Sequence, residues 1–337
     1  MKTMRTVSTL LFLCLVIAGR GSAQEETTPS TSPEKIGLPF EIKKWTGDFD
    51  DMVKRRVIRA LVVYSKTYYF VDKGVQRGTA YEALKAFEDE INKKLKTKAK
   101  DRVHVMFITV PRDDLIPGLL EGRGDVAAAG LTITPEREKL AAFSAPLWDD
   151  VSEIPVTAPD GPQLSSAEDL SGQEVFARKS SSYWEHLERL NERFAKEGKP
   201  PVTLRASPES LEDEDILEMV NAGLVKITVV DSHAADFWKR IYTQITPYPG
   251  AAVNTGGQIA WMFRKESPKL KQAVDEFVRT HGKGTAFGNE LARRYFKSTK
   301  MVKSATAPGE LQKFRQLVEM FRKYGEKYDL DYLLIMA

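Results

Sequence analysis

The sequence predicts an α/β protein built from two doubly wound lobes. Short apolar runs suited to buried parallel strands alternate with segments of helical periodicity, first from Val57 to Ala129 and again from Gln163 to Val230. The chain, 337 residues long, suffices for two lobes of ordinary domain size. After the second lobe, Val253 to Phe263 returns the chain toward the first.

The first lobe opens on Thr46 to Arg55, a short capped helix with Phe49, Met52 and Val53 inward. Val57 to Tyr64 (VIRALVVY) reads as a strand, followed by an aromatic loop from Ser65 to Gln76. After Gly78 a helix buries Ala80, Leu84, Phe87, Ile91 and Leu95 at intervals of three and four, and Val103 to Val110 is the next strand. Leu115, Ile116, Leu119 and Leu120 form a helix that Gly122-Arg123-Gly124 stops. Asp125 to Ala129 is a buried strand, and Pro135-Glu136 opens another helix. Between them lie Gly130, Thr132 and Thr134, with Arg137 close behind. In α/β sheets ligands bind where a strand's carboxyl end meets a helix amino end, and free N–H groups plus a guanidinium suit a carboxylate.

The second lobe runs extended through Val151 to Thr157, then through a strand at Glu174 to Ala177 and a polar loop holding Ser180 and Ser181. A helix with Trp184, Leu187, Leu190 and Phe194 inward stops at Gly198. Ser207 to Ala222 is expected to be a helix whose first turn, Glu209 to Asp215, is acidic to suit its dipole. Ile227 to Val230 is a strand delivering Asp231 to the cleft, either to meet an ammonium or to cap the helix from Ser232 to Ile241. Gln258 to Phe263 forms a strand, and helices follow at Pro268 to His281 and Thr285 to Phe296.

The segments LIPGLLEGRGD, GLTITPERE and FSAPL, in this order and spacing, resemble the family 3 solute-binding proteins of the periplasm, which bind amino acids and similar small polar molecules. The resemblance implies a type 2 periplasmic-binding, or Venus-flytrap, fold, with lobe 1 at 40–150 and 257–297 and lobe 2 at 151–256. Hinge closure around a ligand is the implied mechanism. Arg137 would clamp a ligand α-carboxylate, helped by Thr132 and the Gly130 backbone. Ser180 and Ser181 match a second-lobe hydroxyl turn, and Asp231 matches an aspartate that holds the α-amino group. An aromatic from the loop after the first strand should touch the ligand, which makes Tyr64 and Tyr68 to Phe70 candidates, Tyr69 among them. Arg112 stands where amino-acid binders often place a stacking aromatic, a departure that points to an anionic or larger ligand.

At the amino end Lys2 and Arg5 precede the apolar run Val7 to Ala18, and Gly21-Ser22-Ala23 suits signal peptidase. A cleaved signal peptide over 1–23 is expected, hence a periplasmic protein, peripheral to the outer membrane if associated with it at all. Leu13 before Cys14 argues against a lipid anchor, and cleavage leaves no cysteine for a disulfide. Cleavage also removes Lys2, Arg5 and Arg20, so the formal charge of +3 falls to zero and no nucleic-acid partner is indicated. Residues 24–39 read as a linker. The four histidines have no metal-binding spacing, and no cofactor is expected.

Residues 298–309 form a polar linker, and Phe314, Leu317, Val318, Phe321 and Tyr324 then make one helical stripe before YGEKYDLDYLLIMA. This tail resembles the opening of the lysozyme-like domain in lytic transglycosylases of the membrane-bound F type, which place a family 3 lobe pair before it. The resemblance makes 310–337 the start of a truncated catalytic domain, ending before the catalytic glutamate. A monomeric ligand-sensing module, with peptidoglycan or its fragments as partners and no activity of its own, is the reading. The competing ones are a free-standing importer receptor and a dehydratase-like enzyme on the same fold. The latter needs an acid aimed into the cleft, and no glutamate stands out for it in the sequence.

Overall fold

The computed structural model describes residues 44–299 and Val302. The expected signal peptide, the 24–39 linker and the 310–337 tail lie outside those residues, as does most of 298–309. Among the described residues no helix is long and apolar enough to cross a membrane.

The described chain has two α/β lobes joined through one continuous run of strands. Its order is His104–Thr109, Val57–Val62, Val126–Thr132, Asn254–Phe263, Trp148–Thr157, Ile227–Asp231, Glu174–Ala177 and Thr203–Ala206. The first three strands are parallel, as are the last three. The long antiparallel pair Trp148–Thr157 and Asn254–Phe263 lies between them, with register shifts near Asn254 and Gly257. Parallel strands connected by helices leave their carboxyl ends on one edge, so Thr132 and Asp231 end strands facing the space between the lobes.

Local chemistry accounts for the element ends. The helix Ser182–Glu197 is capped by Ser181, whose Oγ accepts from the Trp184 N–H at 3.2 Å, and ends at Gly198 with φ +68°. The helix Pro268–His281 begins with proline in its first turn and buries Leu270, Val274, Phe277 and Val278 against the helix Thr79–Leu95. The helix expected from Ser207 begins at Asp213 instead. Among the short elements that escaped the sequence reading are the edge strand Thr203–Ala206 and a hairpin of Phe70–Asp72 with Val75–Arg77 at the aromatic loop.

The amino end of strand Val126–Thr132 is fixed by a buried charge cluster. Asp125, fully buried, accepts from Arg59 Nη2 at 2.8 Å, from the Arg59 backbone N–H at 2.9 Å and from Arg55 Nη2 at 2.5 Å. Arg264 Nη2 approaches it at 3.3 Å, and the Trp45 ring covers the guanidinium groups of Arg55 and Arg59. Burial pushes the Asp125 carboxyl up, but the Arg59 and Arg55 guanidinium groups hold it below the usual range.

Candidate ligand-binding cleft

Arg137 sits in the helix Pro135–Leu140, whose N-cap Thr134 accepts from the Arg137 backbone N–H. Its side chain is buried and reaches across to the second lobe. Nη1 donates to the Thr132 carbonyl at 3.0 Å, Nη2 to the Ser180 carbonyl at 2.8 Å and Nε to Glu185 Oε1 at 3.1 Å. Three of its five N–H groups are thus engaged among the described residues. Burial pulls the guanidinium pKa down even though Glu185 opposes that shift, so its charge is under-compensated.

Asp231 occupies the tip of strand Ile227–Asp231. Its Oδ1 is buried without a hydrogen-bond partner among the described residues, and its backbone N–H donates to the Tyr183 hydroxyl at 3.2 Å. Burial, then Glu153 and Asp213, push its carboxyl well above the ordinary range. Asp231 is the N-cap residue of the helix Ser232–Trp238, yet its side chain makes no capping bond. Arg137 and Asp231 share two electrostatic neighbours, Glu153 and Arg112. They are therefore an under-compensated cation and a buried carboxyl whose charged form lacks a positive partner.

The other residues singled out from the sequence separate into two groups. Gly130 and Tyr68 stay at the cleft: Gly130 has φ +63°, and a Cβ there would lie 2.5 Å from the Tyr68 ring and hydroxyl. The Tyr68 phenol is pushed well up by burial and by Asp231. Behind Tyr68 and Gly130 lies a cavity of ≈ 100 Å³ with a mainly apolar lining that includes Ala83, Trp148, Leu291 and Phe296. Tyr69, by contrast, is 2% exposed, stacks on Phe107 and bonds Gln76, so it belongs to the core of the first lobe. Tyr64 packs against a hydrophobic cluster of mostly second-lobe residues. The Ser180 and Ser181 hydroxyls are committed to Glu209 and to the Arg178 carbonyl, which leaves Ser180 its carbonyl on Arg137.

Arg112 departs most from expectation. Its Nε and Nη2 hold both oxygens of Glu212, at 3.0 and 2.5 Å, and Nη1 donates to the Ala129 carbonyl at 2.9 Å. The guanidinium is spent on the opposite lobe rather than kept for an anionic ligand. The same holds for Glu214 and Asp215 beside Glu212, which the sequence assigned to a helix dipole, whereas Asp213 is held within its own lobe. Glu214 Oε1 accepts from Ser65 Oγ at 2.9 Å and from the Lys66 backbone N–H at 2.5 Å, while Lys66 Nζ pairs with Asp215 at 3.0 Å. Asp213 pairs with Arg178 and accepts from the Tyr183 hydroxyl. This second-lobe acidic turn is a latch on the first lobe. Its one sequence signal was density: Glu212 to Asp215 carries more acid than a helix start needs.

Glu214 gives the latch a pH dependence. Burial, with Glu212 and Asp215 adding to it, raises its pKa from 4.5 to about 7. Its folded-state pKa is above its unfolded value, so between these values the folded form holds the extra proton and stability falls as pH rises. Glu214→Gln is expected to flatten the fall in Tm between about pH 5 and 7 and to raise Tm above pH 7, as read by calorimetric melting. Gly130→Ala should lower stability by about 1–2 kcal/mol for the left-handed backbone alone. It should also weaken ligand binding, because Tyr68 must move; titration of the folded variant checks this.

Among the described residues no group of three or more His, Cys, Asp or Glu side chains is placed to hold a metal ion. Residues 62–298 match the model of the bacterial extracellular solute-binding proteins, family 3. The chain belongs to that family. It is 28% identical over 289 residues to a membrane-bound lytic murein transglycosylase F of Ectopseudomonas mendocina, covering 83% of this chain and 55% of that protein. A transglycosylase F of Idiomarina loihiensis is 25% identical over 321 residues, covering 91% of this chain and 63% of its own length. This family 3 chain thus spans about half the length of the curated relatives it matches. Among solved structures, the ancestral amino acid-binding protein AncCDT-1, a precursor of cyclohexadienyl dehydratase, superposes with TM-score 0.57 at 24% identity. The superposition covers 73% of this chain and 98% of that one, a likeness of fold: two lobes of the type 2 periplasmic-binding class.

Proposed function

We propose that the chain binds a small zwitterion of the α-amino-acid type in the cleft between its lobes, in the periplasm. In this role it is the ligand-sensing module of a transglycosylase F-like protein. The observation that carries the reading is the juxtaposition of Arg137, with an N–H still unengaged on each terminal nitrogen, and Asp231, with a buried oxygen lacking a partner among the described residues. A carboxylate on the first offsets the guanidinium, and an ammonium on the second favours the charged form of the Asp231 carboxyl and pairs with it. The neighbouring arginines are matched within the protein, Arg112 by Glu212 and Arg178 by Asp213, and Glu153 is hydrogen-bonded to His186 Nδ1 at 2.5 Å. They offer little to a ligand of high net charge.

Each residue then has a physical role. Arg137 orients the carboxylate, and the Thr132 and Ser180 carbonyls hold the guanidinium in place. Asp231 receives the ammonium, Tyr68 and Gly130 form the wall beside it, and the Arg112–Glu212 and Ser65–Glu214 contacts close the lobes. The sensing role is supported by similarity to transglycosylase F over 83% of this chain. A thermal-shift panel of the twenty amino acids, their α-amides and muropeptides tests the reading, since a cleft ligand raises Tm by mass action. Stabilisation by amino acids or amino-acid-ended muropeptides is expected, with none from the amides. A panel in which only amides or uncharged sugars stabilise contradicts it.

A further inference from the structure

The carboxylates that meet arginines across this cleft are held in two different ways. Glu212 gives both oxygens to Arg112, a closed bidentate pair. Glu185, in the first turn of the helix Ser182–Glu197, gives only Oε1 to Arg137 Nε. Its Oε2 is buried and has no hydrogen-bond partner among the described residues. A carboxylate held by one oxygen, with the other desolvated and idle, is a poorly satisfied partner and so a displaceable one. It also stands on the guanidinium to which the proposed ligand carboxylate would bind. With Glu185 in place part of the Arg137 charge is already offset, so an incoming carboxylate would leave two anions sharing one buried cation.

We infer that Glu185 is a specificity-determining residue of the cleft, an internal carboxylate that occupies the Arg137 clamp and must be displaced by the carboxylate of the ligand. The inference rests on Arg137 being that clamp. Three consequences follow from it. The lobes can close on their own side chains, because the protein supplies the anion that closure needs. Apparent affinity is lowered by the fraction of molecules in which Glu185 holds the clamp. Ligands without a carboxylate gain nothing from removing Glu185, since they do not compete with it.

The test is calorimetric titration of the purified full chain with the amino acid giving the largest thermal shift among the twenty, and with its α-amide. Glu185→Gln removes the competing charge and keeps the side chain's size. Glu185→Ala is the second variant in case glutamine still bonds Arg137 or disturbs the helix. The amino acid is expected to bind either variant roughly tenfold more tightly than the parent, the effect of a clamp self-occupied about nine-tenths of the time. Affinity for the amide should stay unchanged, a split that a merely structural role would not produce. Unchanged or weaker amino-acid binding in both variants overturns the role of Glu185 and leaves the clamp standing. Full affinity retained in an Arg137→Ala, Glu185→Gln double variant overturns the clamp and this inference together, as does a panel in which no amino acid binds.

Discussion

Arg137→Ala is expected to abolish measurable binding of a carboxylate ligand in a chain that remains folded. The side chain ties Thr132 of one lobe to Ser180 and Glu185 of the other and still keeps N–H groups for a ligand. Removing it leaves a ligand carboxylate in a dry cleft beside Glu185, with no cation assigned to it. Breaking a buried ion pair from one side costs about 3–5 kcal/mol, more than two orders of magnitude in Kd. Arg137→Lys should recover only part of this, because an ammonium cannot reproduce the planar fork that spans two carbonyls and a carboxylate. Titration alongside circular dichroism separates lost binding from lost fold. Undiminished affinity in a folded Arg137→Ala variant contradicts the assignment.

Asp125→Ala should bring the largest loss of stability without touching the cleft. Asp125 is fully buried and is the carboxylate shared by Arg59, Arg55 and Arg264, two of which are themselves almost wholly buried. Deleting it leaves those guanidinium groups facing one another, at a cost of about 3–5 kcal/mol, which corresponds to a fall in Tm on the order of 10 °C. Asp125→Asn should fall between, since an amide oxygen accepts a hydrogen bond but carries no charge. The acid dependence has a definite sign. A carboxyl held below its ordinary value of 3.8 contributes stability above that value and loses it as pH falls through the lower folded-state pKa. The acid limb of the Tm profile should therefore shrink in Asp125→Asn. Asp125 precedes the strand whose far end carries Thr132, so ligand affinity of the folded variant should be unchanged. A drop in Tm of about 2 °C or less contradicts the account of the cluster.

How much of this was legible depended on whether the determinants were local. The helix Pro268–His281 was readable to the residue, because proline opens it and its apolar positions recur at helical spacing. The strand Glu174–Ala177 and the Gly198 stop were equally local. The edge strand Thr203–Ala206 was not, since TLRA carries no apolar run and owes its strand state to pairing with Glu174–Ala177. The hairpin at Phe70–Asp72 did leave a trace: Lys73 and Gly74 both take positive φ, the backbone of a two-residue turn, and a glycine in the second place is its usual sign.

The cleft was half legible for the same reason. Arg137 and Asp231 could be singled out because a strand end and a motif mark them. The partners of Arg112 and Glu214 lie 100 and roughly 150 residues away, and no local pattern predicts such pairs. Tyr69 was misplaced because an aromatic loop looks alike whether a ring faces the sheet or the cleft. Stacking of Tyr69 on Phe107 is decided by a strand that comes later in the chain.

The central claim is that a zwitterion is held at its two ends by Arg137 and Asp231. Its most direct test is titration calorimetry of the full chain with three matched probes: the best-binding amino acid, its α-amide and its desamino acid. The wild-type chain should bind the amino acid at least about tenfold more tightly than either analogue, each analogue leaving one buried charge unmatched. Asp231→Asn should reduce the amino acid to the level of the desamino acid while leaving the desamino acid unaffected. Equal affinity of the wild type for all three probes, or equal losses for amino acid and desamino acid in Asp231→Asn, would contradict it.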